Sequence, residues 1–193
     1  LFYVRPAESV SCTSLPMKPN VIAYGDSLVA GYGAPAGQDF VSVLSASSGI
    51  PIRNLGRAGE TTTGGLARVT DAIDEKPDIV ILLLGGNDAL QRMSTETTER
   101  NLSELIRAFT KEGSEVILVG VMGGFPSDPY AAMFKRLADS EDVVLVPNIL
   151  SGLIGNEALM SDAIHPNADG YAKIASRIQP LLEKACAVHA GKE

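Results

Sequence analysis

One segment constrains the fold more than any other: Asp78 is followed by six apolar residues, Ile79-Val80-Ile81-Leu82-Leu83-Leu84, which run straight into Gly85-Gly86-Asn87-Asp88. The run is far short of the ~20 residues that span a bilayer. Its length and its β-branched residues suit a strand instead. Alternation would mark a strand with one wet face, whereas continuous apolarity marks one covered on both faces, as in the centre of a parallel sheet. Parallel neighbours cannot be joined by tight hairpins, so the rest of the chain must supply crossover helices.

It does so in alternation. Val21-Ile22-Ala23-Tyr24, stopping at Gly25, reads as the first strand, residues 52–55 as the second, 115–121 as the fourth and 143–147 as the fifth. Gly31, Gly33, Pro35 and Gly37 mark a loop, and Phe40, Val41, Val43 and Leu44 then begin a helix that Gly49 ends. A helix over 64–75 takes its N-cap from among Thr61 to Thr63 and carries Leu66, Val69 and Ile73 on one face. Helices are also expected over 94–111 (Leu102, Leu105, Ile106, Phe109), 130–139 and 168–187 (Tyr171, Ile174, Ile178, Leu181, Leu182). Strands alternating with helices in this order predict an α/β fold, a three-layer α/β/α sandwich around a central five-stranded parallel sheet. Residues 1–19, with Pro6, Pro16 and Pro19, read as a loose lead-in, 20–187 as a single domain and 188–193 as a polar tail. A chain of 193 residues is long enough for one full core.

The net charge of -7 offers no basic footprint for nucleic acid or an anionic membrane surface. No stretch is long enough for stable membrane insertion. The chain opens on Leu1 without an intact leader, which fits a start after a removed segment and leaves exported, periplasmic and cytoplasmic locations open. Cys12 and Cys186 lie near opposite ends of the chain and read either as separate thiols or as the disulfide of an exported protein. Cys12 precedes the first strand, and a last helix antiparallel to the strands would bring Cys186 to the same end of the sheet.

Ligands of open parallel sheets bind beyond the carboxyl ends of the strands. The polar residues that follow successive strands are Asp26 and Ser27, then Gly59, then Asn87 and Asp88, with Asp162 and His165 in the loop before the last helix. In sequence order these form four blocks: Gly25-Asp26-Ser27-Leu28, Gly59, Gly86-Asn87-Asp88 and Asp162-Ala163-Ile164-His165-Pro166. The set resembles the SGNH hydrolase superfamily, the GDSL esterases and lipases, over about residues 20 to 185. Tyr24-Gly25-Asp26-Ser27-Leu28 with Ala30-Gly31-Tyr32, and Leu84-Gly85-Gly86-Asn87-Asp88, are similar to the bacterial thioesterase I/arylesterase/lysophospholipase branch. Gly59-Glu60-Thr61-Thr62 resembles the second block of that branch, with Glu60 where Asp is expected. The resemblance implies a flavodoxin-like SGNH hydrolase fold and hydrolysis of carboxylic esters or thioesters through an acyl-enzyme.

The residue types suit that chemistry. A serine hydroxyl needs a base to take its proton, and histidine, with an ordinary pKa of about 6.5, is suited to the task. The chain has two histidines, and His189 falls in the polar tail, so His165 is the base by elimination if Ser27 is the nucleophile. Asp162, three residues earlier, can accept from Nδ1–H and set the tautomer. Pro166 keeps His165 out of helical backbone angles. For the oxyanion the donors are the backbone N–H groups of Ser27 and Gly59 and the side-chain amide of Asn87. Asp26 and Asp88 are read as structural support, and Ser27 also suits the N-cap of a following helix.

The motif is not a Gly-x-Ser-x-Gly elbow, because Val29 stands where the second glycine would be. No His, Cys or carboxylate cluster has metal-ligand spacing, and no cofactor is expected. Leu90, Met122 and Phe125 are available as apolar pocket walls, in loops 89–93 and 123–130. The expected substrate is a small-molecule ester or thioester with a short to medium acyl chain. A carbohydrate acetyl esterase of the same fold and a non-catalytic α/β binding module are the other readings, and oligomeric state stays open.

Overall fold

Five segments form strands in the computed structural model, which describes residues 12, 15, 17–121 and 129–191. The strands are Val21–Gly25 (β1), Ile52–Gly56 (β2), Ile79–Leu83 (β3), Glu115–Val119 (β4) and Val144–Val146 (β5). All pairings are parallel, and the sheet order is β2-β1-β3-β4-β5. The chain goes from β1 outward to β2 and then returns to the other side of β1. The carboxyl ends of β1 and β3 therefore flank the switch point at which such sheets place their ligands.

The pleat divides β3 between two cores. Ile79, Ile81 and Leu83 face a cluster that includes Val29 of Ser27–Ala30 (α1), Phe40 and Leu44 of Phe40–Ser48 (α2), and Tyr171, Ile174 and Ile178 of Ala168–Ala190 (α8). Val80, Leu82 and Leu84 face the other cluster, built with Ala72 of Val69–Ile73 (α4), Leu102 and Phe109 of Thr95–Lys111 (α6), and Phe134 of Pro129–Glu141 (α7). Both halves of the run are fully buried, as its unbroken apolarity requires. This is the expected three-layer α/β/α sandwich on a five-stranded parallel sheet.

Four local expectations are corrected. The helix over 64–75 is two pieces, Thr62–Ala67 (α3), capped by Thr61, and α4, with Arg68 at the break in a non-helical conformation (φ -124, ψ 10). The break has a physical cause: the Arg68 side chain turns inward and hydrogen-bonds the carbonyls of Gly25 and Leu55. The segment after β3 is a helical turn, Gly86–Leu90 (α5), rather than a loop. The cap of α1 is Asp26, whose carboxylate accepts from Leu28 N at 3.0 Å, so Ser27 is the first helical residue and not the N-cap. Helix α8 runs to Ala190 and takes His189 out of the supposed tail, with Nδ1 3.9 Å from the Asp78 carboxylate.

The lead-in is anchored at Cys12, which is 1% exposed and bonded to Cys186 with Cα atoms 5.4 Å apart. The expected proximity is present, and the open choice between thiols and disulfide resolves to the bond. The rest of 1–11 lies outside the described residues.

Candidate active site

The carboxyl end of β1 delivers Ser27 at the start of α1, fixed from below by Asp26. Asp26 is 2% exposed, and its carboxylate holds Leu28 N. Burial, with Glu60 and Asp88 nearby adding repulsion, pushes its pKa up to about 7 despite the Leu28 bond.

His165 reaches Ser27 from a loop that braces itself. The Asp162 carboxylate accepts from the backbone N–H groups of Ile164 (2.9 Å) and His165 (2.8 Å), while Ser161 N donates to His165 O at 2.8 Å. Asn167 closes the loop by capping α8 through Gly170 N at 3.1 Å. Gly33 on the opposing loop has φ +97, and a Cβ there would stand 2.3 Å from Ser161 Oγ, so the approach of the two loops requires glycine.

The result is a continuous series of bonds. Asp162 Oδ2 lies 2.7 Å from His165 Nδ1, and His165 Nε2 lies 3.0 Å from Ser27 Oγ. With Nδ1–H donating to the carboxylate, Nε2 is left to accept the serine proton. The Ile164 N–H bond, then the imidazole bond, hold the Asp162 carboxyl down at about 2.

Asn87, in α5 just beyond β3, donates through Nδ2 to Glu60 O at 2.9 Å, with a longer contact of 3.4 Å to Asp26 Oδ2. Gly59, one residue before Glu60, has φ +77, the left-handed conformation that glycine adopts without penalty. Asp88 is fully buried and accepts from Thr62 N at 2.9 Å, from the Thr62 hydroxyl and from the Thr98 hydroxyl at 3.3 Å. It thereby ties α3 and α6 to α5, the supporting role expected of it.

This arrangement has relatives of known family. The model of the GDSL-like lipase/acylhydrolase family matches residues 23–173. The chain belongs to this family. It is 30% identical over 175 residues to Esterase TesA of Pseudomonas aeruginosa, covering 84% of this chain and 87% of that protein. It is 30% identical over 196 residues to an arylesterase of Vibrio mimicus, covering 95% of each. It is 28% identical over 175 residues to thioesterase 1/protease 1/lysophospholipase L1 of Escherichia coli K12, covering 84% of each. The crystal structure of TesA matches with a TM-score of 0.79 at 29% identity, over 86% of this chain and 99% of that one.

Within the GDSL-like frame, the structure brings Ser27, His165 and Asp162 into bonded contact and places Gly59 on the loop after β2 and Asn87 in α5, just past β3. Of the expected pocket walls, Leu90 is 61% exposed at the end of α5, while Met122 and Phe125 lie outside the described residues. Sequence reasoning missed Tyr32, whose ring centroid is 4.6 Å from that of His165 with the planes 53° apart. Its signal was an aromatic residue inside an otherwise Gly/Ala-rich loop. It also missed Arg68, an arginine among apolar positions of an expected amphipathic helix. Among the described residues, no helix is long and apolar enough to cross a membrane.

Proposed function

We propose that this chain is a serine esterase that hydrolyses carboxylic esters or thioesters of short to medium acyl chains through an acyl-enzyme on Ser27. The observation that carries the reading is the bonded series from Asp162 through His165 to Ser27. Ser27 Oγ attacks the carbonyl carbon as His165 Nε2 takes its proton. Asp162 stays ionised and steadies the imidazolium. The negative charge on the former carbonyl oxygen meets the N–H groups of Ser27 and Gly59 and the Asn87 amide. One hydrogen of that amide is already spent on Glu60 O; the other, whose contact with Asp26 is long, is the one available to the oxyanion. Collapse expels the alcohol or thiol with the proton from His165, and water, activated by the same imidazole, releases the acid.

Exposed apolar side chains near the reacting groups support an acyl or aryl substrate: Tyr32 against His165, Ile164 beside it and Leu90 on α5. The test is a panel of p-nitrophenyl esters from acetate to laurate beside acyl thioesters and acetylated sugars. Turnover with an optimum at short to medium chains is expected. Activity confined to acetylated sugars would replace this reading with a carbohydrate acetyl esterase, and inactivity on the whole panel would remove it.

A further inference from the structure

We infer that Arg68 and Glu60 are positioning residues that hold the three oxyanion donors in register, an inference that rests on the serine esterase reading above. Arg68 is 8% exposed, and its guanidinium forks onto Glu60, with Nε 2.7 Å from Oε1 and Nη2 on Oε2. The same Nη2 donates to Leu55 O at 2.9 Å and Gly25 O at 3.3 Å. The guanidinium lies 4.0 Å from the Tyr24 ring centroid, and Tyr24 OH donates to Gly65 O at 2.6 Å. The Glu60 side chain is 7% exposed, so both charges are withdrawn from water.

Stability alone is a weak reason to keep such a pair, because desolvating two charges offsets much of their attraction. Its placement supplies another reason. Gly25 O is two residues before Ser27 N–H. Leu55 O is at the end of the strand leading to Gly59. Glu60 follows Gly59 directly, and its own carbonyl holds the Asn87 amide at 2.9 Å. One buried fork thus touches the ends of the two strands that lead to Ser27 and Gly59 and, through Glu60, the side chain of the third donor. Arg68 also neutralises a carboxylate close to where negative charge develops.

Only Arg presents a planar fork able to bond both carboxylate oxygens and strand-end carbonyls at once, so lysine is not equivalent. Misplacing reacting groups by about 1 Å costs on the order of 100-fold in rate. The variants are Glu60→Gln, Glu60→Asp, Arg68→Lys and the double variant Glu60→Gln/Arg68→Met, which buries no charge and keeps the packing volume. Each is assayed on p-nitrophenyl butyrate beside wild type and Ser27→Ala. Rates of wild type and of the Glu60 and Arg68 variants are expressed per site titrated by a fluorophosphonate, so unfolded protein does not count, and the rate of Ser27→Ala is expressed per mole of protein.

Positioning predicts kcat lower by about 100-fold in Arg68→Lys and the double variant, with KM within threefold and the shape of the pH profile kept, since the Asp162–His165 pair is untouched. Glu60→Asp, which retains the fork, recovers most of the rate. The proposal is overturned if kcat per titrated site in the double variant stays within threefold of wild type, or if the loss falls in KM. An inactive wild type, or an active Ser27→Ala, would instead strike the underlying esterase reading.

Discussion

His165 Nε2 stands 3.0 Å from Ser27 Oγ across 138 residues of sequence, whereas the carboxylate on its other nitrogen comes from three residues upstream. The two bonds have different origins. The Asp162–His165 contact is made inside one loop whose carboxylate also ties two of the loop's own amides. The His165–Ser27 contact exists only because α8 packs beside α1 and α2 on one face of the sheet and carries the loop to the end of β1. Changes in the first should alter the imidazole without moving the fold.

Asp162→Asn tests this. The amide oxygen can still accept the Ile164 and His165 N–H groups, so the loop should keep its shape, but the imidazole loses its charged partner and tautomer control. We expect kcat to fall about 1,000- to 10,000-fold with KM little changed. Steady-state kinetics with circular dichroism as the folding control checks it; a loss below tenfold would show that the carboxylate does not orient the base.

Gly59→Ala isolates backbone conformation from crowding. A Cβ at Gly59 would meet nothing within 4 Å, so only the φ of +77 is violated. That conformation costs a non-glycine residue roughly 1–2 kcal/mol. If the Gly59 N–H is an oxyanion donor, kcat should drop at least tenfold, more than the stability change alone accounts for. Thermal midpoint and kcat measured together separate the two.

Much of this was legible in the sequence. Strands and crossover helices showed because apolar runs ended at glycines and because helical faces repeated at the right spacing, and the four polar blocks followed the strand ends. What escaped were features decided by distant partners. The break at Arg68 depends on carbonyls at the ends of two strands, which no local pattern encodes. The assignment of Asp26 rather than Ser27 as the cap rests on which side chain turns back to Leu28 N. His189 lies within the helix and stands 3.9 Å from Asp78, a partner more than a hundred residues away. The Tyr32–His165 ring contact likewise joins two loops far apart in sequence.

Asp26 sets the sign of a pH effect. Its carboxyl titrates at about 7 in the folded protein against 3.8 ordinarily. Between those values the folded state binds more protons than the unfolded, so this group's contribution is complete below about pH 4 and is lost as the pH rises through about 7. The loss is on the order of a few kcal/mol. Asn is also a good N-cap, so Asp26→Asn should fold and remove that slope. Urea midpoints from pH 4 to 8 for both proteins give the comparison; equal slopes would contradict the assignment.

The Cys12–Cys186 bond closes nearly the whole chain, with a sequence separation of 174. Loop closure of this size predicts a loss of about 2–5 kcal/mol on reduction. Thermal midpoints with and without reductant measure it. Equal thiol counts by mass spectrometry in reduced and unreduced denatured protein would show that no bond forms.

The central claim is that Ser27 is the nucleophile of an acyl transfer. Hydrolysis of p-nitrophenyl butyrate by wild type and Ser27→Ala, with intact mass recorded after a fluorophosphonate, tests it most directly. The account predicts turnover and a single adduct on Ser27 in wild type, and the loss of both in the variant. Turnover that survives Ser27→Ala would contradict it.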